Sequence, residues 1–170
     1  SAETAAIVNS DNASAESLWA SLGSSSQAAA AVTAVLREGG DATTVVPAQQ
    51  LRAGFTIFGQ TQWALADQAR FVAGMGCDEA GMEVFSLMGE TVAAQRWGLG
   101  TIPGARFKGG WGSTPEGYVV RQLGIVPGTK GDLAVTLQVR TGTHEEGTAI
   151  ADELARSVRL HRGTLEAGRC

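Results

Sequence analysis

Residues 118–140 read YVVRQLGIVPGTKGDLAVTLQVR. The run Tyr118–Val126 is β-branched and apolar, and Leu133–Arg140 alternates, with Leu133, Val135, Leu137 and Val139 on one face. Between them, Pro127-Gly128 to Gly131-Asp132 supplies turn chemistry. The two runs therefore pair as an antiparallel hairpin. Just upstream, Ala105–Trp111 is a third, shorter strand-like run that leads into a glycine-containing turn. Just downstream, Thr143 starts a final helix whose first turn holds Glu145 and Glu146, where carboxylates favour the helix dipole. Ile150, Leu154, Val158 and Leu160 roughly line one side of it, and the tail from Gly163 to Cys170 is expected to be loosely held.

Ahead of this block the periodicity is helical. Ala5–Val8 reads as the end of one helix. Ala13–Leu22 places Leu18, Trp19 and Leu22 on one face and is stopped by Gly23. Gln27–Glu38 carries Val32, Val35 and Leu36 as a stripe. Residues 41–61 show no sustained period and contain Pro47, Gly54 and Gly59. They read as a long loop, and long loops in compact domains are often functional. Thr61 can cap a helix over 62–74 carrying Trp63, Leu65, Phe71 and Val72. A further helix over 79–95 buries Met82, Phe85, Met88 and Val92. Trp97-Gly98-Leu99-Gly100 and Pro103-Gly104 then end the helical half. Helices, three antiparallel strands and a last helix make an α+β domain. Its mainly helical subdomain is expected over 1–96, its sheet and terminal helix over 97–162, and a tail over 163–170. The strands are apolar enough to suggest further neighbours beside them.

With 170 residues, 44% of them hydrophobic and 18% charged, the chain has the size and make-up of one globular domain. A net charge of −4 leaves no nucleic-acid footprint. No apolar run approaches the ~20 residues of a membrane span, and Ser1 does not open a signal peptide. The chain reads as a mature or trimmed piece. Eleven of the thirteen basic residues are Arg, so the two lysines, Lys108 and Lys130, draw notice. Cys77 and Cys170 could form a disulfide in an oxidising compartment, stay free, or pair outside this chain. No His, Cys or carboxylate spacing implies a metal, and no glycine pattern implies a nucleotide, so no cofactor is expected.

Two short motifs carry chemistry. Ser10-Asp11-Asn12 opens a helix, and Lys108-Gly109-Gly110 ends a strand and runs into Trp111-Gly112. Each has an ordinary reading: a helix N-cap for the first, a solvated edge lysine for the second. Their order changes the odds. The first is followed by helices, a long loop, more helices, the Lys-Gly-Gly strand, a hairpin and an amphipathic helix. Over residues 1 to 160 this resembles the C-terminal portion of the penicillin-recognising serine hydrolases, the class A β-lactamases and D,D-peptidases. In that family SDN and KTG motifs face each other across the active-site cleft. Val35-Leu36-Arg37-Glu38-Gly39-Gly40-Asp41 is similar to the family's helix leading into its Ω-loop.

The resemblance implies an acyl-transfer site on a β-lactamase/transpeptidase-like fold. Ser10 would relay a proton to a leaving nitrogen, and Lys108 would hold that relay and attract a substrate carboxylate. Asn12 would bond the substrate's acylamide, while Asp11 would be structural. The backbone N–H of Trp111 would be one of two oxyanion donors. Gly109 and Gly110 would let substrate lie against the strand edge. The implied ligands are β-lactams or D-Ala-D-Ala-type peptides of the peptidoglycan kind. The implied setting is secreted or cell-envelope, without a transmembrane segment or nucleic acid.

Three departures matter. The SxxK motif, with nucleophile and general base, is absent, so it would come from an N-terminal complement outside this chain. The loop over 41–61 has no Glu to serve in deacylation. Gly109 stands where the family has Thr, losing a hydrogen bond to a charged group worth ~1.5–3 kcal/mol. Ser113, Thr114 or Arg121 could compensate, although a sheet-surface salt bridge is the favoured reading of Arg121. A degenerate, non-catalytic binding domain is the rival reading. Trp19, Trp63 and Trp97 read as packing residues, and Trp111 as either core or cleft rim. His144 reads as capping or exposed, and His161 as part of a fraying end.

Overall fold

The computed structural model describes residues 1–168. Helices α1 (Ala2–Val8), α2 (Asn12–Ser21), α3 (Ser25–Glu38), α4 (Leu65–Met75) and α5 (Glu79–Gly89) precede two short 3-10 turns at Ala93–Gln95 and Gly98–Thr101. Strands β1 (Arg106–Thr114), β2 (Gly117–Pro127) and β3 (Asp132–Thr141) follow, then helix α6 (His144–His161). The sheet is antiparallel in the order β1-β2-β3. The fold is α+β, as the switch from helical to strand periodicity near residue 97 predicts.

The sheet lies between two layers. Odd-numbered residues of β1 share a face with Val120, Leu137 and Val139, and that face packs on Ala151 and Ala155 of α6. The other face, through Leu123, Ile125 and Ala134, meets Val72 of α4 and Phe85 and Met88 of α5. A third cluster, with Leu36 and Val46 at its centre, collects Trp19, Trp63 and Phe71 around α3 and the long loop. Residues 41–61 contain no helix or strand, in agreement with the sequence.

Four local readings change. First, α4 begins at Leu65, after an extended Ala64, and not after Thr61. The Trp63 carbonyl accepts a bond from the Gln68 side chain, and the Trp63 ring packs edge-on against Phe71, so residue 63 serves the third cluster from outside the helix. Second, α5 ends at Gly89, not Gln95. Thr91 leaves the helix to donate to the Phe107 carbonyl of β1, and Arg96 braces the turn by donating to Thr91 and Gly89 carbonyls. Third, Val35, Met82, Ile150, Leu154 and Leu160 are exposed. On α6 the buried side is Gly147, Ala151 and Ala155. A Cβ on Gly147 would lie 3.0 Å from Val120, so small residues let this helix sit close to the sheet. Fourth, the tail folds back: Gly168 N–H donates to the Asp132 carbonyl at 3.0 Å. The Cys77–Cys170 pairing falls on Cys170, outside the described residues.

Two features lock the turn between the layers. Buried Gln122 donates to the Trp97 carbonyl and accepts from Leu99 N–H, both at 2.7 Å. Gly98, at φ +54°, donates to Asp152 of α6 at 2.5 Å. No helix among the described residues is long and apolar enough to cross a membrane.

Candidate active site

Ser10 sits in the turn between α1 and α2. Its φ is +56°, the left-handed region that costs a non-glycine residue roughly 1–2 kcal/mol. Among the described residues it is the only non-glycine with positive φ. Asp11, not Ser10, is the cap of α2: its carboxylate accepts from Ser14 N–H at 2.8 Å. That leaves the Ser10 hydroxyl for another use. It accepts from Lys108 Nζ at 2.5 Å and donates to Gln95 Oε1 at 2.7 Å. Residues separated by 98 positions in sequence thus meet side chain to side chain, and the two short motifs lie together.

Lys108 is on β1, an edge strand, but its side chain is largely enclosed between the strand and the α1–α2 turn. Its ammonium also donates to the Gly109 carbonyl at 2.6 Å. Burial pushes its pKa down from the ordinary 10.5 to about 8. No carboxylate lies close enough to form an ion pair with it among the described residues. The site therefore holds a cation that no carboxylate among the described residues neutralises.

Gln95 is a site residue that the sequence did not reveal. Its amide accepts from Ser10 and donates to the Asn9 carbonyl at 3.0 Å. It reaches there because the 89–96 turn is braced by Thr91 and Arg96 as described. Nothing local in Ala93-Ala94-Gln95 signals a contact 85 residues away.

Ser10 and Lys108 open on a cavity of about 910 Å³. Asn12, Gly109, Gly110 and Trp111 all line it. Asn12 is exposed at the first turn of α2. A Cβ on Gly109 would lie 3.3 Å from the Trp97 ring, so position 109 projects toward the α6 side of the sheet, while Gly110 is on the Lys108 side. Trp111 is 41% exposed and stands edge-on to Trp97 and His144. His144 is exposed at the start of α6, where Thr143 is the cap, and it also contacts Trp97 and Tyr118 edge-on.

The long loop supplies the facing wall. Its base is fixed by Asp41, which is fully buried. Burial alone would raise the Asp41 pKa, but bonds from Thr44 and Thr43 outweigh it and hold the carboxyl at about 2. Arg37 donates to the Asp41 and Thr44 carbonyls at 2.5 and 2.7 Å. Farther along, Arg52 lies over the Phe55 ring and donates to the Ser113 carbonyl of β1 at 2.5 Å. Arg121 of β2 reaches back to the Gly59 carbonyl at 3.0 Å. The surface ion pair expected of Arg121 is therefore absent among the described residues, and its guanidinium forms cavity wall instead. The loop brings no carboxylate to the cavity, whose lining acids are Asp11 and Glu116.

No family model matches the chain, and no curated protein is similar to it in sequence. A solved structure, PBP-A, is similar in fold, with a TM-score of 0.65 at 19% identity. The likeness covers 95% of this chain and 60% of that one. This chain is built like PBP-A. It spans about three-fifths of that protein's length, and a likeness at this identity concerns the fold alone.

Proposed function

We propose that this chain is part of a β-lactamase-like serine hydrolase acting on β-lactams or D-Ala-D-Ala-type peptides through an acyl-enzyme. The nucleophilic Ser and its Lys would come from an N-terminal segment outside this chain. The observation that carries the reading is the 2.5 Å contact between Lys108 Nζ and Ser10 Oγ at the mouth of a cavity inside a PBP-A-like fold.

The chemistry runs as follows. The nucleophile's oxygen attacks the substrate carbonyl carbon, and the electrons of the C=O bond move to oxygen, which backbone N–H groups such as that of Trp111 would stabilise. As the carbonyl re-forms, the C–N bond breaks. Ser10 then passes its proton to the leaving nitrogen and takes the nucleophile's proton in exchange. Lys108 fixes the Ser10 oxygen and offers positive charge to the substrate carboxylate. Asn12, which lines the cavity, would bond the acylamide. Water attack on the ester completes turnover. That step would be slow, because the loop facing the cavity brings no carboxylate to activate water.

The lack of a Glu in the loop over 41–61 and the Gly at 109 favour a second reading, a degenerate envelope domain that binds and does not turn over. Among the described residues no strand pairs with the outer edge of β3, and Ile150 and Leu154 are exposed on α6. Both are suited to receive the missing segment in either case. A secreted or cell-envelope setting belongs to this proposal as well.

Intact mass of the complete protein after incubation with a fluorescent penicillin distinguishes the readings. A covalent adduct that persists, is lost in Lys108→Ala and forms slowly in Ser10→Ala supports the hydrolase. No adduct in a protein shown to be folded supports the binding domain. Equal acylation by the Lys108→Ala protein removes Lys108 from the mechanism.

A further inference from the structure

The chain as a whole is acidic, at −4, yet four of its basic residues line one cavity: Arg52, Lys108, Arg121 and Arg140. Against them stand two carboxylates. Asp11 is occupied in capping α2, and Glu116 forms no ion pair among the described residues. Arg52 and Arg121 bond only to carbonyls, which leave their charge intact.

The strand register shows that three of these cations are ordered. Lys108 is opposite Leu123, which is opposite Thr136. Arg121 is opposite Gly110 and Gln138. Arg140 is opposite Val119, which is opposite Gly112. All are on the same sheet face, and each step from Lys108 to Arg121 to Arg140 moves one strand across and two residues along. With strands about 4.8 Å apart and about 3.4 Å per residue, each step is about 8 Å between Cα atoms. The three cations form a diagonal row from the Ser10 end of the cavity to its far rim. Burial, and then repulsion from Arg140, pull the Arg121 pKa down. Neither Arg121 nor Arg140 forms an ion pair among the described residues, so the pair is open to an anion.

We infer that the cavity takes a ligand with two acid groups, one seated between Lys108 and Arg121 and the second between Arg121 and Arg140. The first seat rests on the proposed function, in which Lys108 attracts a substrate carboxylate. The second seat does not. It restricts the substrate class to acyl peptides or amides with an additional acidic group about 8 Å from the first, reached across the sheet face.

The test uses the complete protein, shown to be folded, observed by amide NMR in low salt at pH 7, and titrated with suberate and with its monoamide. Suberate carries two carboxylates about one such step apart; the monoamide replaces one of them with a neutral group. The expected result is about ten-fold tighter binding of suberate, as one added charge-assisted contact gives. Shifts should fall on 108–112, 119–123 and 138–140. Arg140→Gln should erase the preference and leave the monoamide affinity unchanged, and Arg140→Lys should restore part of it. Equal affinities in the parent chain, or a preference that survives Arg140→Gln, overturn the second seat alone. Binding of neither compound overturns both this inference and the carboxylate-binding role of Lys108.

Discussion

Replacing Lys108 with Met keeps the length of the side chain and removes its titration. In the folded chain the ammonium loses its proton near pH 8, and unfolded it would hold it to about 10.5. Between those values the unfolded state binds more protons, so stability rises with pH across that window. The cost of burying the charge is fully present below pH 8 and gone above 10.5. At about 1.4 kcal/mol per pH unit, a shift from 10.5 to about 8 is worth roughly 3 kcal/mol at most. The measurement is urea unfolding of both proteins, followed by tryptophan fluorescence at pH 7.5, 8.5, 9.5 and 10.5. Other groups titrate in this range, but they are common to both proteins and cancel in the difference. The stability of the parent chain relative to Lys108→Met should therefore increase steadily from pH 8 to 10.5. Parallel curves would refute the reasoning, since they would mean that Lys108 is as well solvated folded as unfolded.

Ser10→Gly should be more stable than Ser10→Ala by about 1 kcal/mol, since both lose the hydroxyl and only Gly relieves the left-handed backbone; equal stabilities by urea unfolding would count against the conformation. Gly98→Ala should destabilise by about 2–3 kcal/mol, because at φ +54° its Cβ would collide with the buried Gln122 amide. A thermal melt unchanged within a degree would refute this. Asp41→Asn should cost about 2 kcal/mol at pH 7. The parent carboxyl contributes fully above pH 3.8 and is lost as pH falls through about 2, so the two proteins should converge in acid. Gly109→Thr should restore a hydroxyl to the strand at a cost of about 1 kcal/mol and shift the Trp97 indole resonance, because the new Cβ must displace that ring by a few tenths of an ångström. An unmoved indole signal would show that position 109 points elsewhere.

The parts of the fold legible in the sequence are those in which one residue's environment repeats at a fixed period. The alternation of Leu133 to Val139 placed a whole strand face, and Thr143 with Glu145 and Glu146 placed the start of α6. Period failed where a small residue does the packing. In α6 the large apolar side chains Ile150 and Leu154 drew the reading, but Gly147, Ala151 and Ala155 face the sheet because only small residues permit so close an approach. It failed again at Gln95, where an apparent helix continues to residue 95 on pattern alone. The capture of Thr91 by β1 ends that helix early, and no local propensity encodes the event. The motif pair was legible because each half has a recognisable residue string; the Gln95 contact and the cation diagonal were not, since they exist only once the register is known.

Three features that weaken a folded protein converge on one cavity. Ser10 holds a backbone conformation that Gly would adopt at no cost. Lys108 keeps an ammonium from water without a carboxylate to balance it. Arg121 is set beside Arg140. Packing explains none of them: the turn at residue 10 would be as tight with Gly, the strand at 108 as well filled with Met or Leu, and the sheet face at 121 better served by a Glu diagonal to Arg140. The hydroxyl at 10 and the ammonium at 108 have meaning only together, 2.5 Å apart, and the guanidiniums only toward something anionic. Strain and uncompensated charge gathered at a cleft mark a functional site more strongly than any one of them would alone. On the proposed function they would also set its polarity: a hydroxyl to handle the proton at one end, and a row of cations leading away from it along which an acidic ligand would be drawn and aligned.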